Sequence, residues 1–177
     1  MNSRTVTCGL LLLVVYTLLP GTSRAQDSQD NASVAAQLDA TKPILAKIKK
    51  DAANMESYTR NNGLSWQTHA TTLEKTRADV NELQQNMRGL QSHRSVASPW
   101  QQDAIDRITA LANDLATNMN AAIAQLSKSK SRPTAPPYPE YLKANARIAN
   151  DLSDAINDTI DYGQSKAKMD SLAKQFS

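Results

Sequence analysis

Apolar side chains recur every three or four residues along most of this 177-residue chain, and that spacing constrains the fold more than any other feature. It is clearest in the second of four such segments. The a and d positions of its successive heptads hold Trp66, Leu73, Val80 and Met87 together with His69, Thr76, Leu83 and Leu90. Side chains at these positions share one face of an α-helix and pack against neighbouring helices. The segment is therefore predicted to be one helix of a bundle.

Three other segments carry an apolar face with the same helical spacing. The predicted inner faces are Val34, Leu38, Leu45, Ile48, Ala52 and Met55 in helix one; Ala104, Ile108, Leu111, Leu115, Ala122 and Leu126, widened by Ile105, Ala112 and Met119, in helix three; and Leu142, Ile148, Ala149, Leu152, Ile156 and Ile160, continued by Ala167, Met169, Leu172 and Phe176, in helix four. No stretch alternates in the manner of a strand bounded by turn residues, so no sheet is predicted.

Local signals place the ends of these helices. Ser65 is positioned to cap helix two, and residues 98–101 combine a hydroxyl cap, a proline at the first helical position and a glutamine that can reach back to the cap. Residues 61–63, Asn-Asn-Gly, are expected to end helix one. Residues 128–139 contain four prolines and are predicted to form the one substantial loop, with helix four beginning near Glu140.

Two residues interrupt the predicted helices. Pro43 removes a backbone donor and crowds the preceding turn, so helix one is expected to kink or restart near Thr41. Gly163 is a point at which helix four either breaks or continues. The sequence leaves that choice open.

Together these segments predict an all-α fold, an up-down-up-down four-helix bundle, in a single domain at residues 32–177. Helices of roughly 30 residues are about 45 Å long, and two of the three connections are short enough to make neighbouring helices antiparallel. No repeat of fixed period is present, which argues against a helical solenoid. Residues 26–31 are polar and lack helical periodicity, so they are expected to form a disordered leader.

The first 25 residues have the features of a cleaved signal peptide. Arg4 supplies a positive charge, residues 10–19 form an apolar run, and residues 23–25, Ser-Arg-Ala, match a cleavage site. The apolar run is too short for a membrane anchor, which needs about 20 residues. The chain is therefore expected to be secreted or periplasmic, with no membrane span after cleavage. Its sole cysteine, Cys8, lies in the segment removed, so packing rather than disulfides would stabilise the fold.

The charge of the exported chain is nearly balanced. Removal of Arg4 and Arg24 leaves 18 of the 20 basic side chains against 17 acidic ones. A nucleic-acid-binding protein carries a strongly basic face, so nucleic acid is not a predicted partner. The same balance gives no overall attraction to an anionic membrane.

His69 and Trp66 are the first candidates for a site. An imidazole that points into a bundle can bind haem or a metal ion, and Trp66 lies one turn away on the same seam. His93 is about 36 Å further along the same helix, however, so it cannot be a second ligand. A core histidine is the favoured interpretation of His69.

A strip of four aspartates is the second candidate. With 100° between successive residues, they fall within roughly 80° of the surface of helix four, and aligned carboxylates can bind hard cations. The strip nevertheless points away from the apolar face, so a solvated acidic face is favoured. Its members are Asp151, Asp154, Asp158 and Asp161.

Three polar residues, Thr76, Asn118 and Asn145, fall on or beside apolar faces. One interpretation is a polar pocket inside the bundle. The favoured one is a set of polar layers that fix the register of the helices at some cost in stability.

No catalytic, cofactor-binding or metal-ligating residue is assigned, and no cofactor is predicted. Neither histidine is tied to a serine by a local nucleophile motif, and no pair of carboxylates stands out. The leading hypothesis is a non-enzymatic binding or structural module of the cell envelope with a protein partner. The alternative is a carrier of a small ligand, haem or metal in a pocket inside the bundle. The wide apolar face of helix three leaves a homo-oligomer open.

Overall fold

Four α-helices make up most of the computed structural model, which describes residues 23–60, 63–130, 132 and 134–176, with only the backbone of residues 23–31. The helices are α1 (Ser23–Tyr58), α2 (Trp66–Ser92), α3 (Pro99–Lys128) and α4 (Tyr138–Gln175). One turn of 3-10 helix, Arg94–Val96, follows α2. Within the described ranges no residue lies in a strand, so the prediction of an all-α fold is confirmed. Most of the predicted signal peptide, residues 1–22, lies outside the description.

The two predicted helix caps are confirmed. The Oγ of Ser65 accepts a hydrogen bond from the backbone N–H of Thr68 at 3.2 Å, which satisfies one of the free donors at the start of α2. Ser98 and Gln101 form a capping box at the start of α3, in which the backbone N–H of Ser98 donates to Oε1 of Gln101 at 3.2 Å.

The helices form an antiparallel four-helix bundle. Each packs against its neighbours in the cyclic order α1, α2, α3, α4, α1. His69 near the start of α2 contacts both Tyr58 at the end of α1 and Tyr138 at the start of α4. These residues mark the end that carries the two longer loops, here called the loop end. Trp100 near the start of α3 contacts Tyr162 late in α4 at the opposite end, here called the terminal end. Successive helices therefore run in opposite directions.

The predicted inner faces form the core. Nearly all of their members up to Ile160 are less than a tenth exposed, and Ile48, Leu83, Ile105, Leu115 and Leu152 are fully buried. Three residues expected on those faces, Trp66, Ala104 and Leu111, lie at the rim and are half-buried. A core of this kind stabilises the bundle mainly by removing apolar surface from water.

The helices are longer and more continuous than the sequence predicted. The backbone of residues 26–31, expected to be a disordered leader, is helical, since no glycine or proline lies between Ser23 and Pro43 to stop α1. The helix does not restart at Pro43 either. Pro43 and Asp39, whose carbonyl loses its usual donor, are both exposed, so water can take the place of that bond. In addition, α4 passes through Gly163 without a break.

The loop between α3 and α4 is shorter than predicted, at residues 129–137 rather than 128–139. Lys128 is the last residue of α3, and Tyr138 and Pro139 belong to α4. Proline fits the first turn of a helix because the N–H it lacks has no partner there.

The last four turns of α4 are not part of the core. All four residues expected to continue its apolar face are exposed: Ala167, Met169, Leu172 and Phe176. The physical reason is that α2 and α3 do not reach this level. None of the helices in the described ranges is both long enough and apolar enough to cross a membrane.

Candidate functional site

His69 lies in a closed aromatic cluster at the loop end. It is fully buried, and its Nδ1 is 3.2 Å from the hydroxyl of Tyr138, which is also fully buried. The rings of Tyr58 and Tyr138 meet the imidazole edge-on, with centroids 5.5 and 5.6 Å from it. The sequence placed His69 on the inner face, but nothing in the heptad pattern indicated which side chains would enclose it.

Burial favours the neutral forms of His69 and Tyr138. Desolvation lowers the pKa of His69 below its ordinary value of 6.5 and raises the pKa of Tyr138 above its usual range. The Nε2 of His69 is buried and has no hydrogen-bond partner in the structure. Among the described residues, no three His, Cys, Asp or Glu side chains lie close enough together to hold a metal ion.

Trp66 does not share a pocket with His69. The Nζ of Lys130 lies 4.7 Å from the centre of the indole ring, a cation–π contact at the surface. A cavity of about 80 Å³ beside Trp66 is bounded by side chains of α2 and α3, without His69. Sites for small molecules are generally about 300 to 1,000 Å³, so this cavity is too small for haem.

The predicted polar residues form two separate local networks rather than one pocket. The side-chain amide of Asn118 donates to the backbone carbonyl of Tyr141 and to Oδ1 of Asn145, each at 2.8 Å, and so joins α3 to α4. The hydroxyl of Thr76 donates to the backbone carbonyl of Thr72 within α2. These contacts satisfy polar groups inside the bundle.

The aspartate strip faces solvent. Asp151 accepts a hydrogen bond from Arg147 one turn earlier, at 3.1 Å, in an exposed ion pair. The three other members, Asp154, Asp158 and Asp161, are exposed. An exposed pair of this kind contributes about 0–1 kcal/mol to stability.

A groove opens at the terminal end because the helices differ in length. There α2 ends at Ser92 and α3 begins at Pro99, whereas α1 starts at Ser23 and α4 continues to Gln175. At 1.5 Å per residue, α4 extends roughly 22 Å past Ile160, the last residue of its buried face. The inner faces of α1 and α4 thus continue beyond the point where α2 and α3 stop.

This space, here called the terminal groove, has a volume of about 480 Å³. Its apolar surfaces come from Val34, Ala35, Leu38, Trp100, Ile160, Gly163 and Ala167, and its charged side chains are Asp39, Lys166, Asp170 and Lys174. Lys166 and Asp170 form an ion pair with 2.9 Å between Nζ and Oδ2. The groove therefore combines an apolar lining with charges of both signs.

Trp100 lines the terminal groove and packs against α4. Its ring meets that of Tyr162 edge-on, with 4.9 Å between centroids. Gly163 allows this close approach, because a Cβ at that position would lie only 3.3 Å from the indole ring. The indole N–H is buried and has no hydrogen-bond partner in the structure. The sequence marked Gly163 only as a point at which α4 breaks or continues, and a glycine opposite a tryptophan is visible only once the fold is known.

Comparisons with known proteins give no further guide to the site. No protein-family model matches the chain, and no curated protein or solved structure is significantly similar to it.

Proposed function

We propose that this chain is an exported, non-enzymatic binding module of the cell envelope, and that its terminal groove binds a single-chain amphiphile. The observation that carries the proposal is the groove itself, in which apolar side chains from three helices meet charged side chains. The sequence features of residues 1–25 support cleavage of a signal peptide and a secreted or periplasmic location.

The size of the terminal groove supports a small ligand rather than a folded partner. Its volume of about 480 Å³ lies within the range of about 300 to 1,000 Å³ that is typical of small-molecule sites, which often form between the helices of bundles. Ala35, Gly163 and Ala167 have small side chains or none, so a chain of methylene groups can contact the backbones of α1 and α4 in the groove. Burial of an alkyl chain there contributes about 0.8 kcal/mol per methylene group.

The charged groups favour a ligand with a polar end. Asp39 on α1 and Lys166, Asp170 and Lys174 on α4 offer both donors and acceptors to a headgroup. The nearly balanced charges do not select its sign. The proposal therefore names the class by its shape, one alkyl chain with a polar headgroup.

Trp100 provides a direct test. In a Trp66→Phe variant it is the only tryptophan, and its fluorescence reports on the terminal groove. The probes are dodecanoate, dodecylphosphocholine and dodecyltrimethylammonium, which share one alkyl chain and differ in charge, each below its critical micelle concentration. We expect saturable changes in Trp100 emission with at least one of them, with affinity that rises as the alkyl chain is lengthened.

Matched variants assign the binding to the groove. Ala35→Leu with Ala167→Leu fills the groove, whereas Ala53→Leu with Ala124→Leu adds the same side chains at exposed helical positions outside it. We expect the first pair to weaken binding at least tenfold and the second to leave it unchanged. The proposal is wrong if none of the three probes binds, or if both pairs of variants have the same effect.

A further inference from the structure

The terminal groove changes from apolar to charged along its length. Its inner end is lined by Leu38, Trp100 and Ile160, next to the core of the bundle. Three charged side chains of the lining lie further along α4, about 9, 15 and 21 Å past Ile160 at 1.5 Å per residue: Lys166, Asp170 and Lys174. An amphiphile in the groove therefore has an apolar surface for its alkyl chain at the inner end and charges for its headgroup at the outer end.

The three charges of α4 alternate in sign along one side of the helix. The residues are four apart in sequence, so each lies about one turn beyond the last. Nζ of Lys166 and Oδ2 of Asp170 are 2.9 Å apart, and both side chains are partly exposed. An exposed ion pair is held weakly, so its two members can exchange partners with a ligand.

A headgroup that covers this ion pair has to match both of its charges. An anion beside Lys166 also lies near the carboxylate of Asp170, and a cation beside Asp170 lies near the ammonium of Lys166. A like charge nearby disfavours each of these arrangements, more strongly once water is excluded. A headgroup that carries both a phosphate and an ammonium group can replace the ion pair member for member, because each of its charges meets an opposite one.

We propose that the terminal groove selects amphiphiles with a zwitterionic headgroup. The phosphate lies between Lys166 and Lys174, the ammonium lies beside Asp170, and the alkyl chain runs towards Trp100. This inference rests on the proposed function, because it names the headgroup of the ligand that the groove binds. A lysophospholipid with one acyl chain and a phosphate next to an ammonium group has this chemistry.

The other charged residue of the lining does not change this preference. Asp39 follows Leu38 on α1, at the inner end of the groove, and its carboxylate is 2.9 Å from Nζ of Lys42. An uncharged sugar headgroup forms hydrogen bonds with the outer charges, but it gains no attraction between opposite full charges. Zwitterionic ligands are therefore expected to bind more tightly than anionic, cationic and neutral ones with the same alkyl chain.

The test measures Trp100 fluorescence in the Trp66→Phe variant with four probes that share one alkyl chain. The probes are dodecylphosphocholine, dodecanoate, dodecyltrimethylammonium and dodecyl maltoside, each below its critical micelle concentration. We expect dodecylphosphocholine to bind about fivefold more tightly than each of the others, which is the upper limit for one exposed ion pair.

Matched variants assign the preference to the outer charges. Lys166→Gln with Asp170→Asn removes both charges of the groove pair, and should weaken dodecylphosphocholine binding about fivefold while leaving dodecyl maltoside binding unchanged. The control is Arg147→Gln with Asp151→Asn, which removes an exposed ion pair of the same spacing on the same helix, outside the groove. It should leave all four affinities unchanged. Both double variants should keep the melting temperature, because each removes only an exposed pair.

Bromine quenches tryptophan fluorescence at short range, so brominated probes report the direction of the ligand. Dodecylphosphocholine with bromine at the free end of its alkyl chain should quench Trp100 more strongly than the same molecule with bromine next to the headgroup. The reverse order would contradict the proposed direction of binding.

The outcomes separate this inference from the proposed function. Equal binding of the four probes, or tightest binding of any probe other than dodecylphosphocholine, overturns the zwitterion preference and leaves the binding of an amphiphile standing. Equal effects of the two double variants also overturn it. If none of the four probes binds, both the proposed function and this inference are wrong.

Discussion

Tyr138→Phe should destabilise the protein, although it removes only one oxygen atom. Tyr138 and His69 are both fully buried, and the hydroxyl of Tyr138 is the hydrogen-bond partner of Nδ1 at 3.2 Å. The phenylalanine ring fills the space of the tyrosine ring, so the substitution leaves almost no cavity. The change therefore isolates one hydrogen bond between α2 and α4 at the loop end.

The structure sets the size of the effect. A buried polar group that loses its partner costs about 1–3 kcal/mol. The Nε2 of His69 already has no hydrogen-bond partner, so in Tyr138→Phe neither ring nitrogen would be paired. We expect a loss of about 1–3 kcal/mol in the free energy of unfolding, and a similar loss for His69→Phe, which leaves the Tyr138 hydroxyl without its partner.

The double variant with both substitutions should cost less than the sum of the two single ones, because replacement of both partners by apolar groups of similar shape leaves no unsatisfied group. The measurement is urea denaturation of all four proteins at neutral pH, with the m-value checked for constancy. The expected coupling energy is about 0.5–3 kcal/mol, the range found for residues in contact. If Tyr138→Phe is equally costly with and without His69, the hydrogen bond does not stabilise the loop end and the reasoning fails.

Three further predictions concern pH, glycine and the asparagine layer. Because burial lowers the pKa of His69 in the folded chain, the unfolded chain binds this proton at higher pH. The stability that this group contributes is therefore complete above about pH 6.5 and falls as the pH drops below that value. In His69→Phe, the urea midpoint should depend less steeply on pH in this range. Gly89→Ala should raise the free energy of unfolding by about 0.5–1 kcal/mol, since its Cβ would meet only a flexible amide at 3.8 Å. Gly163→Ala should stabilise the protein less than Gly89→Ala, because its Cβ would lie 3.3 Å from an indole ring. Equal increases in the melting temperatures of the two variants would contradict this. Asn118→Leu should cost about 1–3 kcal/mol by removing the donor to Oδ1 of Asn145, and substitution of both asparagines by leucine should recover most of that loss in the same urea assay.

The four-helix core could be predicted from the sequence because each helix carries its own local signals. The heptad of α2 predicted the buried Leu73 and Val80, the serine cap at Ser65 predicted the start of α2, and the capping box at residues 98–101 predicted the start of α3. These signals act over one or two turns, so they require no knowledge of the rest of the fold. The continuity of α1 through Pro43 was not predictable in this way, because it depends on the exposure of that turn to water.

The candidate site was not accessible from the sequence because it consists of spaces between helices. The terminal groove exists only because α1 and α4 extend past the ends of α2 and α3, and that difference depends on where four separate helices stop. The aromatic cluster around His69 similarly joins residues from α1, α2 and α4. Local spacing assigns a residue to a face, whereas the contacts of that face follow from the assembled bundle.

The sequence does contain a signal for where the buried face of α4 ends. Ala167 lies seven residues after Ile160 and keeps the phase of the buried face, whereas Met169 lies nine residues after it, a rotation of about 180° around the helix. The prediction that both residues lie on one apolar face was wrong, because Ala167 and Met169 lie at different angles around the helix. The change of phase coincides with the level at which α2 and α3 end. The sequence thus stops specifying a bundle core at this level and specifies apolar side chains that face outward beyond it.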